Sequence, residues 1–398
     1  MSSNHIYSYK YRIYPNKEQE ECLGRIFGSV RFIWNQYVAN FNSWSKDGPN
    51  QELTIKKIKG FDGNDWLSEV PYDALMCKRR DFEETQKQYF SKTRKSKSGR
   101  PQFKKRGVSN DSFRINGKEL HGGGFDQTKS TLKIPKLTQP IKVVIDRNFT
   151  GKIKSVTISR NKTNQFFVSV LVEEVIEQKP KTGRSVGIDL GLNHLAVLSD
   201  GTKIDNPRWF RETQAELRKA QQHLSRKVRG SRGYEKQKLK VARIYRDITN
   251  RRMFFLHNLS KHLVNNYDHI IMESLSIKNM IKSRMAKSIM DASWGEFVRQ
   301  VEYKSNWYGR TFHQISRWYP SSKTCSSCGH KMGSMELDIR TWTCPQCLAA
   351  HDRDINAATN ILMEGFRDLY QLTSDELADY IRGAQVGQKI DLPAALKR

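Results

Sequence analysis

Four cysteines carry the plainest chemical signature in the chain. Cys325-Ser-Ser-Cys328 and Cys344-Pro-Gln-Cys347 form two Cys-x-x-Cys pairs with fifteen residues between them. Each pair presents two thiolates from one tight turn, and two such turns complete a tetrahedral Zn²⁺ site. Four thiolates fill that coordination sphere and leave no position for water, so the zinc is expected to be structural rather than catalytic. His330 and His351 flank the cysteines without being needed as ligands, and Cys22 and Cys77 fall in helical patterns as ordinary core residues.

Three acids form a second set. Asp189 ends the apolar run Val186-Gly-Ile-Asp189-Leu-Gly191, and Glu273 ends His269-Ile-Ile-Met-Glu273. Asp354 falls in the first turn of a helical pattern in which Ile355, Ala358 and Leu362 recur on one face. A carboxylate at the end of an apolar strand is costly to bury without a partner or a cation. Two strand-borne acids and one helix-borne acid are the oxygen ligands needed by a phosphodiesterase that holds two divalent ions about 4 Å apart. Mg²⁺ or Mn²⁺ suits such a set, because hard cations prefer oxygen.

The elements that must position these residues can be read from periodicity. A strand is expected over residues 6–13, stopped by Tyr14-Pro15-Asn16, then a helix over 18–44 with Leu23, Ile26, Phe27, Val30, Ile33, Trp34, Tyr37 and Phe41 on its apolar face. A second helix fits 72–90, and a basic loop with Phe103 inside it fits 92–106. Residues 113–115, 131–134, 141–145, 153–159 and 166–175 alternate as strands, the last two joined across residues 161–164 as a hairpin. The N-terminal strand is expected to join them in a barrel split by the helical insertion. After a linker at 179–183, strands are expected at 185–190 and 195–198, and helices through 208–265 broken at 229–233.

Charge narrows the partner. The chain of 398 residues carries 69 Lys and Arg against 41 Asp and Glu, a net +28 that points to a polyanion, nucleic acid first. Eight bases and no acid lie in 92–106, and sixteen bases face four acids in 208–261. There is no P-loop sequence, so no ATP-driven motor is expected. With no long apolar run and no secretory leader pattern, a cytoplasmic, nucleoid-associated prokaryotic protein without a membrane partner is expected.

The ordered motifs Gly187-Ile-Asp-Leu-Gly191, Ile270-Ile-Met-Glu-Ser-Leu275 and Asp352-Arg-Asp-Ile-Asn-Ala-Ala-Thr-Asn-Ile361 resemble the three RuvC motifs of TnpB. That family comprises transposon-encoded RNA-guided nucleases related to type V CRISPR effectors. Residues 319–329 and 340–347 are similar to its zinc ribbon, residues 293–304 to the helix before it, and 99–105 to its basic loop. The resemblance covers residues 5–362 and implies a multidomain α/β protein. Its parts would be a wedge β-barrel (1–15 and 111–180), a helical recognition lobe (16–110), and an RNase H-like RuvC nuclease domain (183–362) with a zinc ribbon (320–350). Residues 363–398 are set apart by composition rather than by the resemblance: the basic excess ends there, with six acids against five bases, so a separate tail is expected. The resemblance further implies Asp189, Glu273 and Asp354 as catalytic, Mg²⁺-binding acids and Cys325, Cys328, Cys344 and Cys347 as zinc ligands. A guide RNA from the transposon end would occupy a basic channel between the lobes. Double-stranded target DNA would be cut beside a short adjacent motif, read by residues 45–80 and 110–125. One departure is Leu348, where the family commonly has Gly.

Three rival functions are set against this reading. A nuclease-inactive RNA-guided repressor is disfavoured because all three acids stand, and a tyrosine transposase because no His-x-His pair occurs. A zinc-ribbon binding module without activity leaves the acids unexplained.

Overall fold

The computed structural model describes residues 3–43, 53–91, 99–108, 110–120, 124–280, 282, 285–333, 335–336 and 338–371. These fall into two compact units that divide between residues 175 and 176.

The first unit begins with β1 (Ser3–Tyr14), in which Tyr11 and Ile13 turn inward and Ile6 outward. Asn16 then starts α1 (Lys17–Asn42) with a reciprocal cap. Its Oδ1 accepts from the Gln19 N–H and the Gln19 Oε1 accepts from the Asn16 N–H, each at 2.9 Å, which satisfies two donors that a helix start leaves free. All eight apolar positions expected on α1 are buried. The short α2 (Ile55–Lys59) and the longer α3 (Tyr72–Phe90) follow. Six further strands then appear: β2 (Asp111–Asn116), β3 (Phe125–Asp126), β4 (Thr131–Leu132), β5 (Ile141–Val144), β6 (Lys152–Arg160) and β7 (Phe166–Ile176). They form one sheet with β1, in the order β2-β6-β7-β1-β5-β4-β3. Helices and sheet share a single apolar core, with Phe27 of α1 against Phe113 of β2 at 5.5 Å. Part of the expected basic loop, residues 92–98, lies outside the described residues, as do 45–52 and 121–123 of the segments expected to read DNA. The rest of the loop is strapped to α1: Trp34 donates to the Gln102 carbonyl at 2.9 Å, Asn35 bonds the Lys104 backbone in both directions, and the Lys104 ammonium sits 3.8 Å from the Trp34 ring centre.

The second unit is built on a five-stranded sheet. Its strands are β8 (Ser185–Asp189), β9 (His194–Leu198), β10 (Lys203–Asp205), β11 (His269–Glu273) and β12 (Thr311–Ile315), in the order β10-β9-β8-β11-β12. Strands β8, β11 and β12 run parallel, and β9 is antiparallel to both β8 and β10. Between β10 and β11 come α4 (Trp209–Ser225) and α5 (Arg232–Asn266). Between β11 and β12 come α6 (Ile277–Met280), α7 (Ala286–Ala292) and α8 (Trp294–Tyr308). A two-stranded hairpin, β13 (Thr341–Thr343) with β14 (Ala350–Asp352), leads into α9 (Arg353–Tyr370).

Strand parity decides which helix each face meets, because successive side chains point to opposite faces. Val186, Ile188, Ile270 and Met272 pack with α5, α7 and α8, whereas Ile271 packs with Ile361, Leu362 and Phe366 of α9. Two glycines let α9 lie close: a Cβ on Gly187 would collide with the Ala358 carbonyl and the Leu362 N–H, and one on Gly365 would collide with Ile271. The expected linker is pinned to this unit. The Asp268 carboxylate accepts from the Thr182 and Gly183 N–H groups and pairs with Arg310 at 2.6 Å, both side chains being almost fully buried, and Arg310 also donates to the Pro180 carbonyl.

Two differences from expectation stand out. Strands β10 and β12 were not foreseen; they are short, three and five residues, and carry too few apolar positions to show a period. The tail expected from residue 363 begins later, because α9 continues to Tyr370 with Phe366 in the core and Tyr370 bonded to His269 at 2.8 Å. Residues 372–398 lie outside the described residues. Among the described residues no helix is long and apolar enough to cross a membrane.

Candidate active site and metal centre

Parallel pairing brings the first two acids together. Ile271 lies opposite Gly187 and Met272 opposite Ile188, so the next residues, Glu273 and Asp189, end the two strands side by side. They share the parity of Ile271 and Gly187, which puts both carboxylates on the face covered by α9. Asp354 sits in the first turn of that helix. The close packing permitted by Gly187 and Gly365 therefore delivers the third acid.

Electrostatics shows that Asp189 feels the other two acids. Burial first, and then the charges of Glu273 and Asp354, push the Asp189 carboxyl up to about 8. Burial also raises Glu273. Carboxylates that hold a proton so strongly are short of positive charge, and a hard divalent cation supplies it. Two arginines lower Asp189, Arg353 first and then Arg340, and of these Arg340 also reaches Asp354, Nη1 to Oδ1 at 3.3 Å. The arginine is half exposed, and such pairs contribute at most about 1 kcal/mol, so the contact is easily exchanged.

The residues around Asp354 divide the labour of holding it. Asp352 caps α9, accepting from the Asp354 and Ile355 N–H groups at 3.1 Å, and its other oxygen pairs with Lys203 of β10 at 2.6 Å. Buried Arg353 donates to the Glu336 and Ile339 carbonyls, while its own N–H bonds the Arg340 carbonyl at 2.8 Å. Asn356 and Asn360, one turn apart and both buried, donate to the Thr324 carbonyl beside Cys325, and Asn356 also accepts from the Ser326 N–H. Arg340, Arg353, Asn356 and Asn360 were not singled out from sequence. The signal was there for the asparagines, since polar residues four apart on the apolar face of a helix need buried partners.

The four cysteines converge as their spacing requires. Their sulfurs all lie within 4.8 Å of one another, with Cys325 to Cys347 at 3.6 Å and Cys328 to Cys344 at 3.7 Å. Among the described residues this is the one closed set of metal-type ligands; the acid trio is not closed in this way. The two knuckles repeat one turn. The Gly329 N–H bonds the Cys325 carbonyl at 2.8 Å, and the Leu348 N–H bonds the Cys344 carbonyl at 2.9 Å. Gly329 has φ +77° and Leu348 φ +61°. Leu348 thus holds a left-handed conformation that only glycine adopts freely, with its side chain exposed. N–H groups of Cys347 and Gln346 pull the Cys344 thiol below its ordinary value, while in Cys328 the pull of the His330 N–H is outweighed by burial and by the other three sulfurs, which raise it. His351 touches the knot without joining it: its Nε2 is 3.1 Å from Cys325 Sγ and its ring packs on Trp342.

The chain is similar to known proteins along most of its length. Residues 167–284 match the family described as probable transposase, OrfB_IS605, and residues 294–361 match the Cas12f1-like TNB domain. Residues 5–48 match a helix-turn-helix domain of the same group, although here the described part of that segment folds as the strand β1 followed by the single helix α1. A protein of Streptomyces pristinaespiralis named "Putative RNA-guided DNA endonuclease" is 36% identical, covering 90% of this chain and 89% of its own. One of the same description in Escherichia coli K12 is 31% identical, covering 90% and 92%. A solved complex of Cas12f1 with guide RNA and target DNA aligns over 90% of this chain and 98% of its own, at 14% identity and TM-score 0.49. With relatives of this identity aligned along nearly their whole length, the chain belongs to the TnpB family.

Proposed function

We propose that this chain cuts DNA at the carboxylate cluster under the direction of a bound RNA. The observation that carries the reading is the convergence of Asp189, Glu273 and Asp354 on one face of a parallel sheet, where the charges of Glu273 and Asp354 add to burial in raising Asp189 and divalent cations would offset them. Two Mg²⁺ or Mn²⁺ ions bound there would activate the attacking water and stabilise the leaving oxygen of a phosphodiester. Asp189 and Glu273 offer their oxygens from rigid strand ends. Asp354 offers its own from a helix whose start is locked by Asp352 on one side and Arg353 on the other. Arg340 would leave Asp354 as cations enter and remain near the phosphate.

The strand order supports reading the second unit as an RNase H-like RuvC domain. The cysteines would hold one structural Zn²⁺, in a ribbon whose first knuckle Asn356 and Asn360 fasten to α9. The seven-stranded sheet would be the wedge and α1 to α3 the recognition lobe, with the short adjacent motif read on that unit. Guide RNA would draw on the basic α4–α5 hairpin and the loop around Lys104, and base pairing would select the target. The test is to sequence the RNA that copurifies with the protein and to challenge the complex with a plasmid matching that RNA. Mg²⁺-dependent linearisation of that plasmid alone supports the reading. Guided binding without any cut would instead assign the chain to guided repression.

A further inference from the structure

The loop that leaves β12 carries a tryptophan that neither the fold nor the proposed chemistry uses. Trp318 is 85% exposed, more than any other large apolar side chain among the described residues. A lone exposed apolar residue is ordinary on a protein surface; the setting of this one is not. Ile315 of β12 lies opposite Glu273 in the parallel register, and the chain leaves the strand at the same end as that carboxylate. Neighbouring strands are about 4.8 Å apart and three residues reach at most about 11 Å, so the Trp318 backbone lies within about 16 Å of Glu273. That span corresponds to no more than about five nucleotides of a stacked strand.

The loop is also rigid on both sides of the ring. A turn closed by the Tyr319 N–H on the Ser316 carbonyl at 3.1 Å puts Arg317 and Trp318 at its corner. Tyr319 packs against the cluster of Ile271, Ile315, Ile361, Leu362 and Phe366, and the Ser321 carbonyl accepts from Asn360 at 2.8 Å. The side chain therefore points into solvent from a fixed base, beside the exposed cation of Arg317. A flat aromatic face held ready next to a positive charge is the arrangement by which single-stranded nucleic acid is held without regard to sequence.

We propose that Trp318 is a positioning residue that stacks on an unpaired base of the DNA strand entering the carboxylate site, with Arg317 against an adjacent phosphate. The inference rests on the reading of that site as a DNA nuclease. Its test compares wild type, Trp318→Ala and Trp318→Phe as purified RNA-loaded complexes. Each is given target duplexes bearing single abasic residues at successive positions within five nucleotides of the cut. Trp318→Ala should cut on the order of tenfold more slowly at subsaturating DNA, with Trp318→Phe within about threefold of wild type. One abasic position should cost wild type a similar factor and cost Trp318→Ala nothing more. Wild-type speed in Trp318→Ala, or additive losses, overturns the proposal. So does a fall in copurified RNA, which would assign the ring to the guide. If wild type binds matched DNA without cutting, the nuclease reading fails separately. The ring is then tested by quenching of tryptophan emission with oligothymidine: less quenching in Trp318→Ala supports stacking, and equal quenching rejects it.

Discussion

The cysteine knot and the carboxylate cluster are both sets of anionic ligands on one unit, assembled by opposite means. Each knuckle is a local turn, so two short segments and a hairpin suffice to bring four sulfurs within 4.8 Å. The acids come from residues 189, 273 and 354, and they meet only because β8 and β11 pair in parallel and α9 presses on both. The knot is a closed set of four sulfurs, whereas the carboxylates are backed by α9 and do not close on one another in this way. A metal held in a closed thiolate set is coupled to local stability, whereas at the acid site burial first, and then neighbouring charge, holds Asp189 above its ordinary range.

That contrast can be broken by mutation. The largest effect is expected at the acids. Asp189→Ala, Glu273→Ala or Asp354→Ala should each lower the cutting rate by about 10³ or more, about 4 kcal/mol of barrier, in a plasmid assay with Mg²⁺. A gel shift on the same variants should show guided target binding unchanged. Cys344→Ser, at the buried end of the knot, should do the reverse: metal analysis should show loss of the roughly one Zn²⁺ per chain, with a lowered melting temperature. Should a cysteine variant keep its zinc, the two regions are not distinct in the way argued.

Packing variants sharpen the comparison. Gly187→Ala forces a methyl into the backbone of α9, so it should cost about 1–3 kcal/mol of stability and, by displacing Asp354, about 10²-fold in cutting. Zinc content should stay at the wild-type level. A cutting rate within twofold of wild type would show that α9 can yield without moving its acid.

Titration gives a smaller effect with a definite sign. The Asp189 carboxyl is raised from its ordinary range to about 8. Between roughly pH 4 and 8 the folded protein then holds a proton that the unfolded chain has lost. Metal-free protein should therefore be most stable below that window and lose stability as pH rises through it. Divalent cation displaces the proton, so Mg²⁺ should flatten the melting-temperature profile and release protons on binding, measurable by calorimetry in buffers of different ionisation enthalpy. A metal-free profile that is flat from pH 5 to 8 would contradict the burial argued for Asp189. The smallest effect belongs to Leu348→Gly, which removes left-handed strain from the second knuckle and should stabilise it by about 1 kcal/mol, seen as slower zinc loss to a chelator.

How much was legible follows from the same contrast. The knot could be read outright, because its ligands are set by spacing within a few residues. So could the face of α1, where eight apolar residues at helical period were enough to name its core. The acids were legible as strand-end and helix-start carboxylates and as motif residues, but their meeting depends on parallel register, which no local pattern encodes. Arg340 was invisible because its position is fixed by Arg353, a contact between a helix start and a loop. The end of α9 was missed because the basic excess fades near residue 362, while Phe366 and Gly365 continue the packing face.

The three residues Asp352, Arg353 and Asp354 have a consequence for how this protein tolerates insertions and deletions. They point to three destinations, Lys203, the carbonyls of residues 336 and 339, and the acid cluster; Asp352 does so from the cap, and Arg353 and Asp354 from the first turn, where successive residues differ in direction by about 100°. A substitution at any one leaves the other two aimed correctly. Adding or deleting a single residue just before Ala357 would rotate all three at once, sending each side chain to its neighbour's destination while composition and charge stay nearly the same. A library of one-residue insertions and deletions should therefore show a sharp dead zone across 352–356, and much greater tolerance at the exposed α4–α5 turn around residues 227–231.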